Sequence, residues 1–157
     1  MKNIFVTYTK YLNNNLALLV ARIAIAVLML SHGLPKLQML FSGGAIDFPV
    51  VLGMNAELSL SLTVFAEVVC SVFILVGFGT RLATVPLMIT MLVAVFAIHA
   101  GEIFAKKELA VFYLVGYVVL FVAGSGKYSI DQLLQSEPRV KYNSQVQEED
   151  PTISFYQ

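Results

Sequence analysis

The 157 residues are 58% hydrophobic and 13% charged, with ten basic residues against ten acidic ones and no net charge. Such a chain is far too apolar for an ordinary soluble domain and predicts one compact membrane bundle, and the lack of a basic excess excludes nucleic acid as a partner. Its single cysteine, Cys70, excludes within this chain an intramolecular disulfide, a CxxC redox pair and a multi-cysteine zinc or iron–sulfur site.

Residues 1–15 carry Lys2, Lys10, four asparagines and the aromatics Phe5, Tyr8 and Tyr11, a composition suited to an interfacial segment leading into the membrane. The first apolar run begins late, is long and lacks a small-x-small cleavage site, so it is expected to stay as a span and not to be removed as a signal. This run, about residues 16–37, holds Arg22, His32 and Lys36. A cation at the centre of a spanning helix costs roughly 2.5–3.5 kcal/mol on insertion scales, so these groups should face a bundle interior or sit near a helix end. Arg22 and Lys36 are separated by ~21 Å of helix and point to nearly the same face. Pro35, which removes a backbone donor, predicts a kink and a polar end near Lys36.

A glycine-rich, partly apolar connection follows, carrying Gly43, Gly44, Pro49 and Gly53, and reads as a loop lying along or dipping into the interface. The second span, about 58–78, places Glu67 near its middle, where an unpaired carboxylate is disfavoured. Gly77, Gly79 and Arg81 form a tight turn into the third span, about 82–100. That span ends in His99 and Glu102, three apart on one helical face. Lys106, Lys107 and Glu108 precede the fourth run, about 108–124. After Gly124-Ser125-Gly126, Ser129 and Gln132 form a candidate capping box for a short helix. Residues 135–157, with Glu148, Glu149 and Asp150 in a run, are expected to form a flexible polar tail.

These elements predict an all-α polytopic protein, an antiparallel bundle of four spans. An even count puts both termini on one side, and the bias of Lys and Arg assigns that side to the cytoplasm. Threading the helices sorts the polar residues into two layers. The outer one gathers His32, Lys36, His99, Glu102 and Glu108; the inner one gathers Arg22, Arg81 and Asp131, with Glu67 at mid-depth between them. Compensation of buried charge predicts that Glu67 pairs with Arg22, as a structural ion pair or a proton relay. His32, Lys36, His99 and Glu102 are the candidate ligand-binding residues, because imidazole and ammonium groups can donate to a carbonyl and a carboxylate can relay a proton. Arg81, Ser129 and Asp131 read as structural or loop groups. No metal site is expected, since the two histidines come from separate helices without a metalloprotease spacing.

The ordered features Arg22, His32-Gly33, Lys36, Glu67, the stretch GFGTRLA from Gly77 to Ala83, His99, Glu102, Glu108 and the closing GSGKYSID resemble the DoxX family from about Ala21 to Leu134. The resemblance implies a small bacterial or archaeal four-helix membrane protein, here in a bacterial cytoplasmic membrane, in the neighbourhood of quinones and of sulfur or oxidative-stress chemistry. It matches the family's first-helix Arg, His-Gly and Lys to Arg22, His32-Gly33 and Lys36. Its second-helix Glu corresponds to Glu67, its hairpin Arg to Arg81, and its closing Ser-x-Asp to Ser129 and Asp131.

The leading functional expectation is a membrane subunit of a redox system that binds a quinone-like ligand in the outer polar layer. With no Cys pair, haem ligation motif or flavin site in the chain, electrons would come from a bound cofactor or a partner oxidoreductase. Two alternatives of other classes are a scaffold that docks a soluble redox enzyme through its acidic tail, and a small proton-coupled transporter with Glu67 as gate and Gly33-Leu34-Pro35 as hinge.

Overall fold

A computed structural model describes residues 11–51 and 53–135. The expectations for the interfacial segment over residues 1–10 and for the polar tail over residues 136–157 lie outside the described residues.

The described chain is all-helical. Helix α1 (Tyr11–Phe41) runs unbroken through Pro35. After a loop, α2 (Ala56–Val76) and α3 (Thr80–Ile98) form a hairpin, followed by α4 (Phe104–Ala123) and the short α5 (Ile130–Gln135). Neighbouring long helices run antiparallel: Arg81 at the start of α3 reaches the Val122 carbonyl at the end of α4, while Glu102 and Lys106 meet across the opposite turn. Helices α1, α2 and α3 are long and apolar enough to cross a membrane. Helix α4 has Lys106, Lys107 and Glu108 in its first turns, which leaves a shorter uncharged stretch over residues 109–123.

The ends of the helices follow from local chemistry. Asn55 caps α2 by accepting the Leu58 N–H at 2.8 Å, and Glu57 in the first turn complements the helix dipole. At the other end, Gly77 takes a left-handed conformation with φ 74°, a conformation with no steric cost for glycine. Ser129 caps α5 by accepting the Gln132 N–H, as the Ser-x-x-Gln spacing predicts.

Packing is inside-out relative to a soluble protein. Large apolar side chains such as Leu82, Phe96, Phe112 and Val122 face outward, and the thin interior combines Ala26, Met29, Leu60, Ile74, Leu87, Tyr117 and Leu120 with buried Arg22, Glu67, Ser71, Thr80 and Thr84. An exterior this apolar is stable only against lipid. Helix α4 packs most extensively on α3, and touches α1 over a much smaller area.

Candidate functional site

Among the described residues the polar groups gather in three places, around Arg22 and Asp131, at Lys36 and Glu67, and at His99, Glu102 and Lys106, a grouping that differs from the two layers expected from sequence. At the α2–α3 turn, Arg22 is 1% exposed and spends its guanidinium on backbone. Its Nε donates to the Ile74 carbonyl at 3.2 Å, its Nη2 to the Tyr128 carbonyl at 3.1 Å and more weakly to that of Leu75, and its Nη1 to the carbonyl of Ser125. The residues Ile74 and Leu75 lie in the last turn of α2, where carbonyls run out of i+4 helical donors, and the Ile74 carbonyl accepts the Gly77 N–H at 3.1 Å as well. Gly77 makes room for this arrangement, since a Cβ there would lie 2.7 Å from Arg22 Nη2. Asp131 completes the cluster by accepting the Gly79 N–H at 2.8 Å, while its own N–H donates to the Gly77 carbonyl. Arg81 and Ser129 bind backbone carbonyls of Val122 and Gly126. This cluster ties the α2–α3 turn to the α4–α5 turn.

The predicted Arg22–Glu67 pair is therefore corrected: Glu67 pairs with Lys36, at 2.5 Å between Nζ and Oε1. Two observations account for it: the continuity of α1 and the prior engagement of Arg22 by backbone. Helix α1 continues to Phe41, so the backbone around Lys36 stays helical and regular past Pro35 and the lysine side chain reaches Glu67, while the Arg22 guanidinium is engaged by backbone carbonyls near the α2–α3 turn. Two further features make the contact. Gly33, one turn before Lys36, packs against α2 so closely that a Cβ would lie 2.8 Å from Val68 Cγ2 and 3.1 Å from Glu67 Cβ. Glu67 itself lies in a π-helical turn, Phe65–Cys70; such wide turns recur at functional sites. A second π turn, Ala94–Ile98, ends α3.

Glu67 is 3% exposed, and its Oε2 has no hydrogen-bond partner among the described residues. Two cavities meet at the Lys36–Glu67 pair. One, of about 210 Å³, is roofed by Phe48, Val51 and Met54 of the α1–α2 loop and lined by Ser59, Thr63 and Thr90. The other, of about 150 Å³, is lined by His32 and Tyr113 with Met29, Leu109 and Ala110. Met91 and Ala94 border both. The His32 ring meets Tyr113 edge-on at 5.9 Å, and Tyr113 stacks on Tyr117, whose buried hydroxyl also lacks a partner among the described residues.

The four residues expected to bind ligand thus divide. Lys36 and His32 line one cavity; His99 and Glu102 form a separate cluster on the α3–α4 turn. There, Glu102 contacts His99 Nδ1 at 2.7 Å and Lys106 Nζ at 2.9 Å. Hydrogen bonding to Lys106 and then to His99 holds the Glu102 carboxyl below its ordinary pKa. Ser59, Thr63, Thr90, Tyr113 and Tyr117 were not singled out from sequence. Polar residues inside apolar runs, and tyrosines four apart on one helix face, are the signals that could have found them.

Chemically, the pair offers an ammonium donor, a carboxylate oxygen with spare acceptor capacity and nearby aromatic and imidazole groups, all within helices that contact lipid. Such a set fits a membrane-soluble molecule with a carbonyl or hydroxyl headgroup.

No curated protein and no solved structure matches the chain. The family model described as DoxX matches residues 17–100, more than half of the 157 residues, and takes in Arg22, His32, Lys36, Glu67, Arg81 and His99. This match and the all-helical, lipid-facing bundle lead to one assignment: the chain belongs to the DoxX family, a family of membrane proteins.

Proposed function

We propose that this protein is the membrane subunit of a quinone-linked redox system, with the quinone ring held at the Lys36–Glu67 pair and not, as the sequence alone suggests, in a layer shared with His99 and Glu102. The observation that carries this reading is the buried Glu67 carboxylate, paired through one oxygen, with its second oxygen unpartnered among the described residues and beside two cavities. A carboxylate left half-satisfied in a low-dielectric site is costly, and a ligand hydroxyl or a proton would complete it.

Each residue has a chemical part in this reading. Lys36 donates to a ring carbonyl through an N–H not engaged by Glu67. Glu67 accepts from a ring hydroxyl or takes up a proton, and His32, exposed at the cavity edge, exchanges protons with the surroundings. Tyr113 supplies an aromatic wall. A quinone, when bound, supplies two-electron redox chemistry that the side chains lack; its electrons come from a partner oxidoreductase. In this reading α4 is the fourth span, its lysines snorkelling to the headgroups, and both termini lie in the cytoplasm of a bacterial cell, an orientation supported by the excess of Lys and Arg on the α2–α3 side.

The test is mass spectrometry of small molecules extracted from gently purified protein, comparing wild type with Lys36→Met, Glu67→Gln and His32→Ala. A quinone that accompanies the wild type and is lost from the Lys36 and Glu67 variants supports the site. Recovery of bulk phospholipid alone from every sample removes it.

A further inference from the structure

A third cavity lies beside the site. It measures about 410 Å³, between α1 and α4, with walls formed by Ala24, Leu28, Phe112 and Val115 among others, and it shares Leu109 and Tyr113 with the cavity that holds His32, Lys36 and Glu67. Its lining is apolar apart from Tyr113. At its floor α1 and α4 touch through Ile25 and Gly116, where a Cβ on Gly116 would lie 2.9 Å from Ile25 Cδ1. Outside that contact the α1–α4 seam is the weakly packed one of the bundle, and Val115 and Phe112 on its wall are 58% and 77% exposed.

A small polar cavity that shares Leu109 and Tyr113 with a larger apolar groove on a lipid-facing seam suits a single-tailed amphiphile. Resting on the quinone reading above, we infer that the ligand is a chain-bearing quinone, whose prenyl tail lies in the α1–α4 groove and whose ring enters past His32 and Tyr113 to Lys36 and Glu67. The occupant is decided by position and charge. The groove shares Leu109 and Tyr113 with the cavity lined by Lys36 and Glu67. A quinone ring, being uncharged, follows its tail between apolar helices, whereas the charged headgroup of a phospholipid is costly to desolvate there. The ligand then enters sideways from the bilayer, with Tyr113 at the junction of ring and chain. The loop-roofed cavity containing Ser59 remains on the far side of the pair, open to a different species such as water.

The test uses the full chain in detergent micelles and two probes, a substituted benzoquinone without a side chain and the same ring carrying a prenyl chain of several units. Affinities are read by native mass spectrometry for wild type, Val115→Trp, Ala24→Trp and Lys36→Met. The two tryptophans fill the groove from α4 and from α1, so one remains informative if the other does not fold. The expected result is a loss of at least about tenfold in affinity for the chain-bearing probe in both groove variants, with the tailless probe changed by less than about twofold, because only the chain loses apolar burial. Lys36→Met weakens both probes. If the groove variants leave the chain-bearing probe unaffected while Lys36→Met weakens both, the ring site stands and the tail assignment is overturned. A groove variant that strips a co-purifying phospholipid without changing the prenyl probe also overturns it, and assigns the groove to an acyl chain. Failure of the wild type to bind either probe overturns the quinone reading and the tail assignment together.

Discussion

Lys36 Nζ lies 2.5 Å from Glu67 Oε1 across the α1–α2 interface, with the carboxylate almost fully buried and the lysine side chain 30% exposed. In a low-dielectric interior, removing one partner is far more harmful than removing both, because the survivor is left as an uncompensated charge. Glu67→Gln and Lys36→Met should each lower the stability of the purified protein, by about 3–5 kcal/mol in the limit where the remaining group stays charged. The double variant Lys36→Met, Glu67→Gln should recover much of that loss. Reversible unfolding in mixed micelles measures the cycle, and additive single effects would show that the contact is not coupled.

Arg22 and Glu67 should behave as independent sites. The guanidinium engages the carbonyls of Ser125 and Tyr128, whereas Glu67 lies near the middle of α2 and pairs with Lys36. Truncating Arg22 to Met leaves buried carbonyls without their donor, at about 1–3 kcal/mol for each one left unsatisfied. Arg22→Met should speed hydrogen exchange over residues 124–131 and leave the α1–α2 contact around Lys36 protected, and Glu67→Gln should do the reverse. Their effects on stability should add within about 0.5 kcal/mol, the usual limit for sites without shared partners. A larger coupling would restore the pairing expected from sequence.

The parts of this protein that were legible in sequence are those imposed by lipid. Helices α1 to α3 announce themselves because hydrocarbon demands long apolar runs, and Arg22 and Glu67 mark themselves as bundle-facing because each is costly toward lipid. What decides their partners is finer than hydropathy. Pro35 suggests the end of a helix, but a proline costs only local bonds, and α1 continues to Phe41. The π turn at Glu67 leaves no mark in composition, so the facing of that side chain could not be derived from a regular helical period. Gly33 and Lys36, three apart on one face, held a usable clue: a glycine that seats one helix against another also aims the lysine one turn later. Read as a hinge, Gly33 concealed that clue.

The Glu102 cluster carries a pH signature of its own. Lys106 first, and His99 second, favour the ionised carboxylate, so the folded-state pKa lies below the unfolded one. A depressed carboxylate contributes stability above the unfolded pKa and loses it as pH falls through the folded value. The contribution should therefore be intact at neutral pH and vanish on acidification only below the ordinary carboxylate range. Carbon-detected NMR titration of Glu102 in nanodiscs should give a midpoint below the usual Glu value, raised more by Lys106→Met than by His99→Ala. The exposure of the cluster, with Lys106 60% exposed, makes its effect on global stability small. A Glu102 midpoint unmoved by Lys106→Met would show that the ion pair does not persist in solution.

Gly33 tests whether the site is held by packing or by charge. A leucine at this position has to displace Val68 and the Glu67 backbone, because even a single Cβ would come within 3.2 Å of the Glu67 carbonyl carbon. Overpacking of this kind costs typically about 1–3 kcal/mol, against which the helical preference of leucine over glycine returns up to about 1 kcal/mol. Gly33→Leu should therefore destabilise the bundle, and it should widen the α1–α2 separation enough to break the Lys36–Glu67 contact without altering either charged residue. The consequence separates the two causes. If packing sets the pair, Gly33→Leu abolishes the coupling energy measured between Lys36 and Glu67, whereas Gly33→Ala, adding one methyl, reduces it in part. Unchanged coupling in Gly33→Leu would mean that the attraction between the charges, through the flexible lysine stem, positions the helices on its own.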